Sequence, residues 1–206
     1  LSKIDLVTAE RVTAVAKEIH ALLDGTLLAS APVVPVSSET GEGLAALRGE
    51  LARCLAVVRS KSEAWPFWMA VDRVFAVRGF GVVATGTIAS GRVARDGHLR
   101  LLPGGQTVRV RGIQIHDQTV DAAAAGNRCA LNLAGIDKHS LHRGMVVCDA
   151  GLSRVATNVD ARVSLARDLA KPLKNHARVR FHSGTAESIA RLQWLEPTAP
   201  EPGGAG

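Results

Sequence analysis

Residues 70–91 read AVDRVFAVRGFGVVATGTIASG, and this stretch decides the fold. Apolar and polar residues alternate from Ala70 to Val77, which predicts a strand. Gly79-Phe80-Gly81 predicts a turn. The apolar run resumes at Val82-Val83-Ala84 and closes on Thr85-Gly86-Thr87. β-branched residues suit the pleat, and the glycines let backbones approach, so the stretch predicts a hairpin of a small antiparallel barrel.

Working outward, strands are predicted at 67–77, 82–88, 91–95, 98–102, 106–116, 128–133 and 145–148. Their regular spacing, with turns at Pro103-Gly104-Gly105 and Ala125-Gly126-Asn127, predicts a closed barrel over residues 67–151. Strand-like runs at 158–165, 176–181 and 188–195 predict a partial second barrel over 156–196. The Pro/Gly-rich tail, 197–206, is expected to be disordered. Upstream, apolar residues at Val12, Val15, Ile19 and Leu22 or Leu23 predict a helix over 8–24, with Thr8 as N-cap and Gly25 as stop. Val33–Val36 predicts a short strand, Ser37–Gly43 a loop, and Gly43–Val58 a second helix. Helix, strand, loop and helix are the grammar of an open α/β sheet, assigned to residues 1–60. Residues 61–66 form a polar linker. Trp65 and Trp68, which flank it, are expected to pack against the barrel edge.

The 206 residues are 47% apolar and 21% charged, as in an ordinary globular protein. No apolar run is long enough for a membrane span, and no secretory signal precedes the first helix. Cys54, Cys129 and Cys148 form no CxxC and no disulfide framework, so a reducing cytoplasm is the expected compartment. The chain opens on Leu, so it is expected to begin inside a longer protein. Residues 1–60 carry 6 Lys and Arg against 7 Asp and Glu, whereas 61–206 carry 19 against 12. The excess positive charge has two readings: a surface for a polyanion such as RNA, bound through counterion release, or simply a solvated basic face. His139 and His142 have an HxxH spacing with no third ligand nearby, so no metal site is expected.

Leu1-Ser2-Lys3-Ile4-Asp5-Leu6-Val7 resembles the guanine-specificity motif NKxD of GTPases, with Ser2 in the Asn place. A carboxylate at Asp5 can accept hydrogen bonds from guanine N1 and N2, a donor pair that adenine lacks. The Lys3 stem can lie over the base. Val34-Pro35-Val36-Ser37-Ser38-Glu39-Thr40-Gly41-Glu42-Gly43-Leu44 resembles the second base-contacting loop of GTPases, where the Ser38 N–H would meet guanine O6 and Ser37 would pin the turn. Taken alone, Ser-Ser-Glu-Thr before an apolar run could instead cap a helix. No GxxxxGK[ST] loop and no DxxG-like switch occur in the sequence. The chain alone is therefore expected not to hydrolyse GTP, and no catalytic residue is assigned.

The 70–91 stretch resembles the start of domain II in translational GTPases of the elongation factor Tu type, and in particular the selenocysteine-specific elongation factors of bacteria. The resemblance continues through Gly91-Arg92-Val93, Leu99–Pro103, Val108–His116, Ala125–Leu133 and Arg143-Gly144, with Asp96-Gly97 where the family usually shows Gly-Asp. Residues 176–195, with Phe181-His182-Ser183-Gly184-Thr185-Ala186-Glu187, resemble the opening of domain III. The resemblance implies a multidomain chain. It would hold a C-terminal remnant of an α/β P-loop GTPase domain, an all-β barrel (translation-factor domain II) and a partial second β-barrel. It implies GTP as cofactor, with Mg²⁺ in the intact parent, and selenocysteinyl-tRNA and the ribosome as partners. An mRNA hairpin would bind a C-terminal region beyond this chain; no membrane partner and a monomer are expected. The implied aminoacyl pocket is Asp72, Arg73, Phe75 and Arg128. Asp72 would accept from the α-amino group, while Arg73 and Arg128 attract the selenolate. The bland reading of Asp72 and Arg73 is an exposed strand-surface pair. Two other readings stand beside this one: a related factor carrying ordinary aminoacyl-tRNA or initiator tRNA, and a non-enzymatic barrel that binds RNA or protein.

Overall fold

The computed structural model describes residues 1–58, 61–77, 81–165 and 173–195. The predicted turn residues Gly79 and Phe80, and the tail 197–206, lie outside the described residues. The chain divides into two compact units, residues 1–59 and 60–206.

In the first unit, α1 spans Ala9–Leu23 and α2 spans Leu44–Val57. The Thr8 hydroxyl accepts from the Arg11 N–H, which satisfies one of the orphan donors at the start of α1. Val12, Val15, Ile19 and Leu23 form a half-buried stripe on one face of α1. Residues 33–36, expected as a strand, are extended but form no regular strand. Among the described residues they bond to one neighbouring segment: Leu1 N–H donates to Val34 O at 3.0 Å, Val36 N–H to Leu1 O at 2.9 Å, and Ile4 N–H to Val36 O at 3.4 Å.

In the second unit, strands β1 (Trp68–Val77), β2 (Gly81–Ser90), β4 (His98–Leu102), β5 (Thr107–Ile115), β8 (Arg128–Ala134) and β9 (Val146–Asp149) run in the order β4-β9-β1-β2-β8-β5. A further β4–β5 pairing closes the ring, which abolishes its edges. Phe67, Met69, Val71, Ile88, Val110, Ile113, Leu131 and Val147 fill the interior and are fully buried. β3 (Arg92–Ala94) pairs with β7 (Ala122–Ala124), and β6 (Gln118–Val120) folds back on β5. β6 and β7 escape the sequence reading: each is three residues long, and the alanines of β7 carry no strand signal of their own. Trp65 is 69% exposed and does not pack on the barrel edge.

β10 (Arg178–Ser183) and β11 (Ala186–Arg191) form a two-stranded hairpin. The strand expected at 158–165 is absent apart from an isolated bridge at Ser164. Among the described residues it joins no ladder of a sheet, and a strand forms only where its N–H and C=O groups are paired in succession.

Two features of the β1–β2 ladder shape the outer wall of the barrel. From Val77↔Gly81 to Arg73↔Thr85 the register is that of a plain hairpin, and then Val71 pairs with Gly86. Asp72 is therefore an extra residue, a β-bulge. Gly86 lies directly against it: a Cβ there would come within 2.3 Å of Ala70 O and 2.8 Å of Met69 Cγ. Gly86→Ala should destabilise the barrel by about 1–3 kcal/mol, the usual cost of overpacking a tight core, as measured by urea unfolding. Gly112→Ala, where the added Cβ meets nothing within 4 Å, serves as control.

Candidate functional site

The bulge breaks the alternation of β1. Val71 is fully buried and Val74 is packed on the same core, three residues apart instead of two or four. The residues between them, Asp72 and Arg73, stand opposite Thr85, on the outer wall of the barrel. On the far side of β2, Arg128 is level with Thr87 on β8. It reaches Asp72 with both terminal nitrogens: Nη1 donates to Oδ2, and Nη2 to Oδ1 at 3.1 Å. The Thr85 hydroxyl donates to Asp72 Oδ1 at 2.7 Å. Such bidentate guanidinium–carboxylate contacts are the stronger kind of charged hydrogen bond.

Of the expected pocket residues, Asp72 and Arg128 are therefore directly paired. Arg73 is exposed and has no ion pair among the described residues. Phe75, opposite Val83, is 45% exposed. Thr85 escaped the sequence reading, and only the hairpin register could have revealed it. The Arg128 guanidinium holds the Asp72 carboxyl below its ordinary range; burial opposes this, and the Thr85 hydroxyl and the charges of Arg128 and Arg73 reinforce it. The same contact pushes Arg128 up. The site thus presents a carboxylate already spoken for and, among the described residues, an unpaired cation beside it.

The first unit carries the other candidate site. The hydrogen bonds between Leu1–Ile4 and Val34–Val36 bring the two motif loops side by side. Ser37 is fully buried, and its Oγ accepts from the N–H groups of Glu39 and Thr40, each at 3.2 Å. α2 is instead led in by Gly43, which is left-handed and makes no side-chain cap. A Cβ on Gly43 would lie 2.0 Å from Pro35 O. Ser37 therefore holds a turn rather than capping a helix. Among the described residues the Ser38 N–H has no hydrogen-bond partner, and the Asp5 carboxylate has no ion pair. Lys3 is left-handed (φ 62°), and Ser2, Lys3, Asp5 and Ser38 are all exposed. An accepting carboxylate and a donating amide on adjoining loops suit the edge of a guanine base.

Residues 81–148 match the family described as "Elongation factor Tu domain 2". The chain is 34% identical to the selenocysteine-specific elongation factor of Desulfomicrobium baculatum over 203 residues, 98% of this chain and 32% of that protein. The chain thus spans about a third of the length of that curated relative. Translation elongation factor SelB from Methanococcus maripaludis has a similar fold in its apo form, with a TM-score of 0.75 at 23% identity, covering 93% of this chain and 46% of that one. The same protein in complex with the GTP analogue GppNHp gives a TM-score of 0.72 at 23% identity, covering 92% and 42%. No described helix is long and apolar enough to cross a membrane, and no group of three or more His, Cys, Asp or Glu among the described residues could hold a metal ion.

Because the folded pKa of Asp72 is depressed, the pair stabilises the fold above the unfolded carboxylate value of about 4 and is lost as pH falls through the lower folded value. Arg128 is 51% exposed, so screening limits the pair to about 1 kcal/mol or less. Asp72→Asn should lower stability by that amount at pH 7 and leave less of a fall below pH ~4, as followed by thermal unfolding across pH.

Proposed function

This chain is a relative of the selenocysteine-specific elongation factors, and we propose that it is the part of such a factor that receives the aminoacyl end of selenocysteinyl-tRNA. The observation that carries the reading is the cluster at the β1 bulge, where Asp72, Arg73 and Arg128 gather on the outer barrel wall. Residues 67–151 serve as domain II, 156–196 as the opening of domain III, and 1–60 as a C-terminal GTPase-domain remnant, joined through the linker 61–66.

The pairing suggests how selenocysteine is told from serine. Asp72 can take the α-amino group of the ester only by loosening its hold on Arg128. Selenol is more acidic than thiol and largely an anion at neutral pH, so a selenocysteinyl ester supplies both halves of an exchange. Its amine takes over Asp72, and its selenolate takes over Arg128, joined by Arg73. Serine supplies the amine but no anion, and so leaves two guanidinium groups without a counter-charge. This is specificity by an unpaired charge as much as by a new contact. A neutral amino acid gains nothing from two cations, which disfavours a carrier of ordinary aminoacyl-tRNA.

In the first unit, Asp5 would take the guanine N1 and N2 hydrogens and the Ser38 N–H its O6. Lys3 would brace the base, Ser37 would hold the loop, and Ser2 would stand in the Asn place. GTP bound there would supply the phosphate-dependent switching of the intact factor. The phosphate loop and Mg²⁺ ligands of that factor would lie outside this chain. Its further partners would be the ribosome and, through a C-terminal region, an mRNA hairpin, with a monomer working in the cytoplasm.

The intact factor should shield the ester of selenocysteinyl-tRNA from hydrolysis more than that of seryl-tRNA, and Arg73→Met should erode the difference. Equal protection of both esters by the parent would sink the assignment. Independently, Asp5→Ala should weaken guanine-nucleotide binding about tenfold or more, the cost of leaving donors unpaired, in a fluorescent-nucleotide titration. Unchanged binding would remove Asp5 from the site.

A further inference from the structure

We propose that Thr185, at the tip of the β10–β11 hairpin, is a positioning residue for the Asp72–Arg73–Arg128 cluster, acting through the main-chain carbonyl of Val71. The inference rests on the function proposed above for that cluster.

Val71 is the last residue before the bulge, and its carbonyl belongs to the peptide plane that leads into Asp72. Its N–H donates to Met145 O at 2.8 Å. Its carbonyl accepts from the Gly144 N–H at 3.0 Å and from the Thr185 hydroxyl at 2.6 Å. Both lone pairs of that oxygen are thereby engaged. The bulge interrupts the ladder with β2, and these bonds hold the plane from the opposite flank of β1, where Ala70 pairs with Val146 of β9. The Thr185 hydroxyl comes from 114 residues away in sequence.

The hairpin tip is held where this bond needs it. Arg143 Nε donates to Thr185 O at 3.4 Å. Gly144 lies so close that a Cβ on it would be 3.1 Å from Ala186 Cα, and a Cβ on Gly184 would be 3.4 Å from Ala70 Cβ. Ala70 and Val71 are thus gripped from the hairpin side, while Asp72, one residue on, faces Arg128, Arg73 and the Thr85 hydroxyl. Rotation of the Val71–Asp72 plane would spoil the two-pronged contact with Arg128, whose geometry tolerates little tilt. The hairpin therefore couples the third segment of the chain to the charge balance of the site.

The test is an acid titration of the Asp72 carboxyl carbon by NMR in the 206-residue chain. Thr185→Val keeps the shape and removes the donor, so the Asp72 midpoint should rise towards the ordinary carboxylate value. Thr185→Ser restores the hydroxyl and should restore the midpoint. Thr185→Ala is the second donor-free variant should the valine fail to fold. An Asp72 midpoint equal to that of the parent in a folded donor-free variant overturns the proposal, as does a serine variant that behaves like the valine one. In the intact factor, the donor-free variants should lose about tenfold in the preference for selenocysteinyl over seryl ester, for a ~1.4 kcal/mol weakening. If the parent itself shows no preference, the functional reading fails, and the coupling is still decided by the Asp72 titration.

Discussion

Between Val71 and Arg73 the first barrel strand carries one residue more than the strand it pairs with. Most of what distinguishes this surface stems from that excess. Without the bulge, strict alternation would place Asp72 and Arg73 on opposite faces of β1, one of them pointing into a core of Met69, Val71 and Ile88. A charge there would be costly to bury. With it, both stand opposite Thr85 on the solvent side, and Val74 regains the interior. The tight seat of Gly86 against Ala70 and Met69 is the steric counterpart of the same irregularity.

The electrostatics of the outer wall depend on the bulge in turn. Asp72 reaches across β2 to Arg128 because the closed ring sets β8 beside β2. The pair neutralises one cation and leaves Arg73 without an ion pair among the described residues, a net positive spot with an occupied carboxylate next to it. Such a spot suits a ligand that brings charges of both signs. The Arg128 guanidinium holds the Asp72 carboxyl below its ordinary range, which favours the ionised form.

The remaining segments rely on partners more than on themselves. The β10–β11 hairpin leaves Phe181 42% and Ile189 58% exposed, and its tip gains its seat from Ala70, Val71 and Gly144. A lone hairpin is marginal in water. In the first unit, the two loops that carry the guanine-like motifs are joined by main-chain bonds, while Ser37 satisfies the turn between Glu39 and Thr40 from within.

The sequence by itself determined the barrel hairpin, most strands of the ring and both helices, because these depend on local periodicity and on glycines at turns. It also pointed to Asp72, Arg73 and Arg128, although through resemblance and not through any visible pairing. It could not place β7, whose alanines become a strand only by bonding to Arg92–Ala94. Nor could it foresee that 158–165 would join no sheet ladder among the described residues. Above all it concealed the bulge. A register counted back from the turn sets Asp72 against Gly86, whereas the folded barrel sets Val71 there. Beside that one-residue slip, Val71 is bonded to Met145, Gly144 and Thr185. These residues lie more than seventy positions away, beyond the reach of any local pattern. Tertiary structure alone decided that Asp72 holds Arg128, that Thr85 joins them, and that a distant hydroxyl braces the strand beneath.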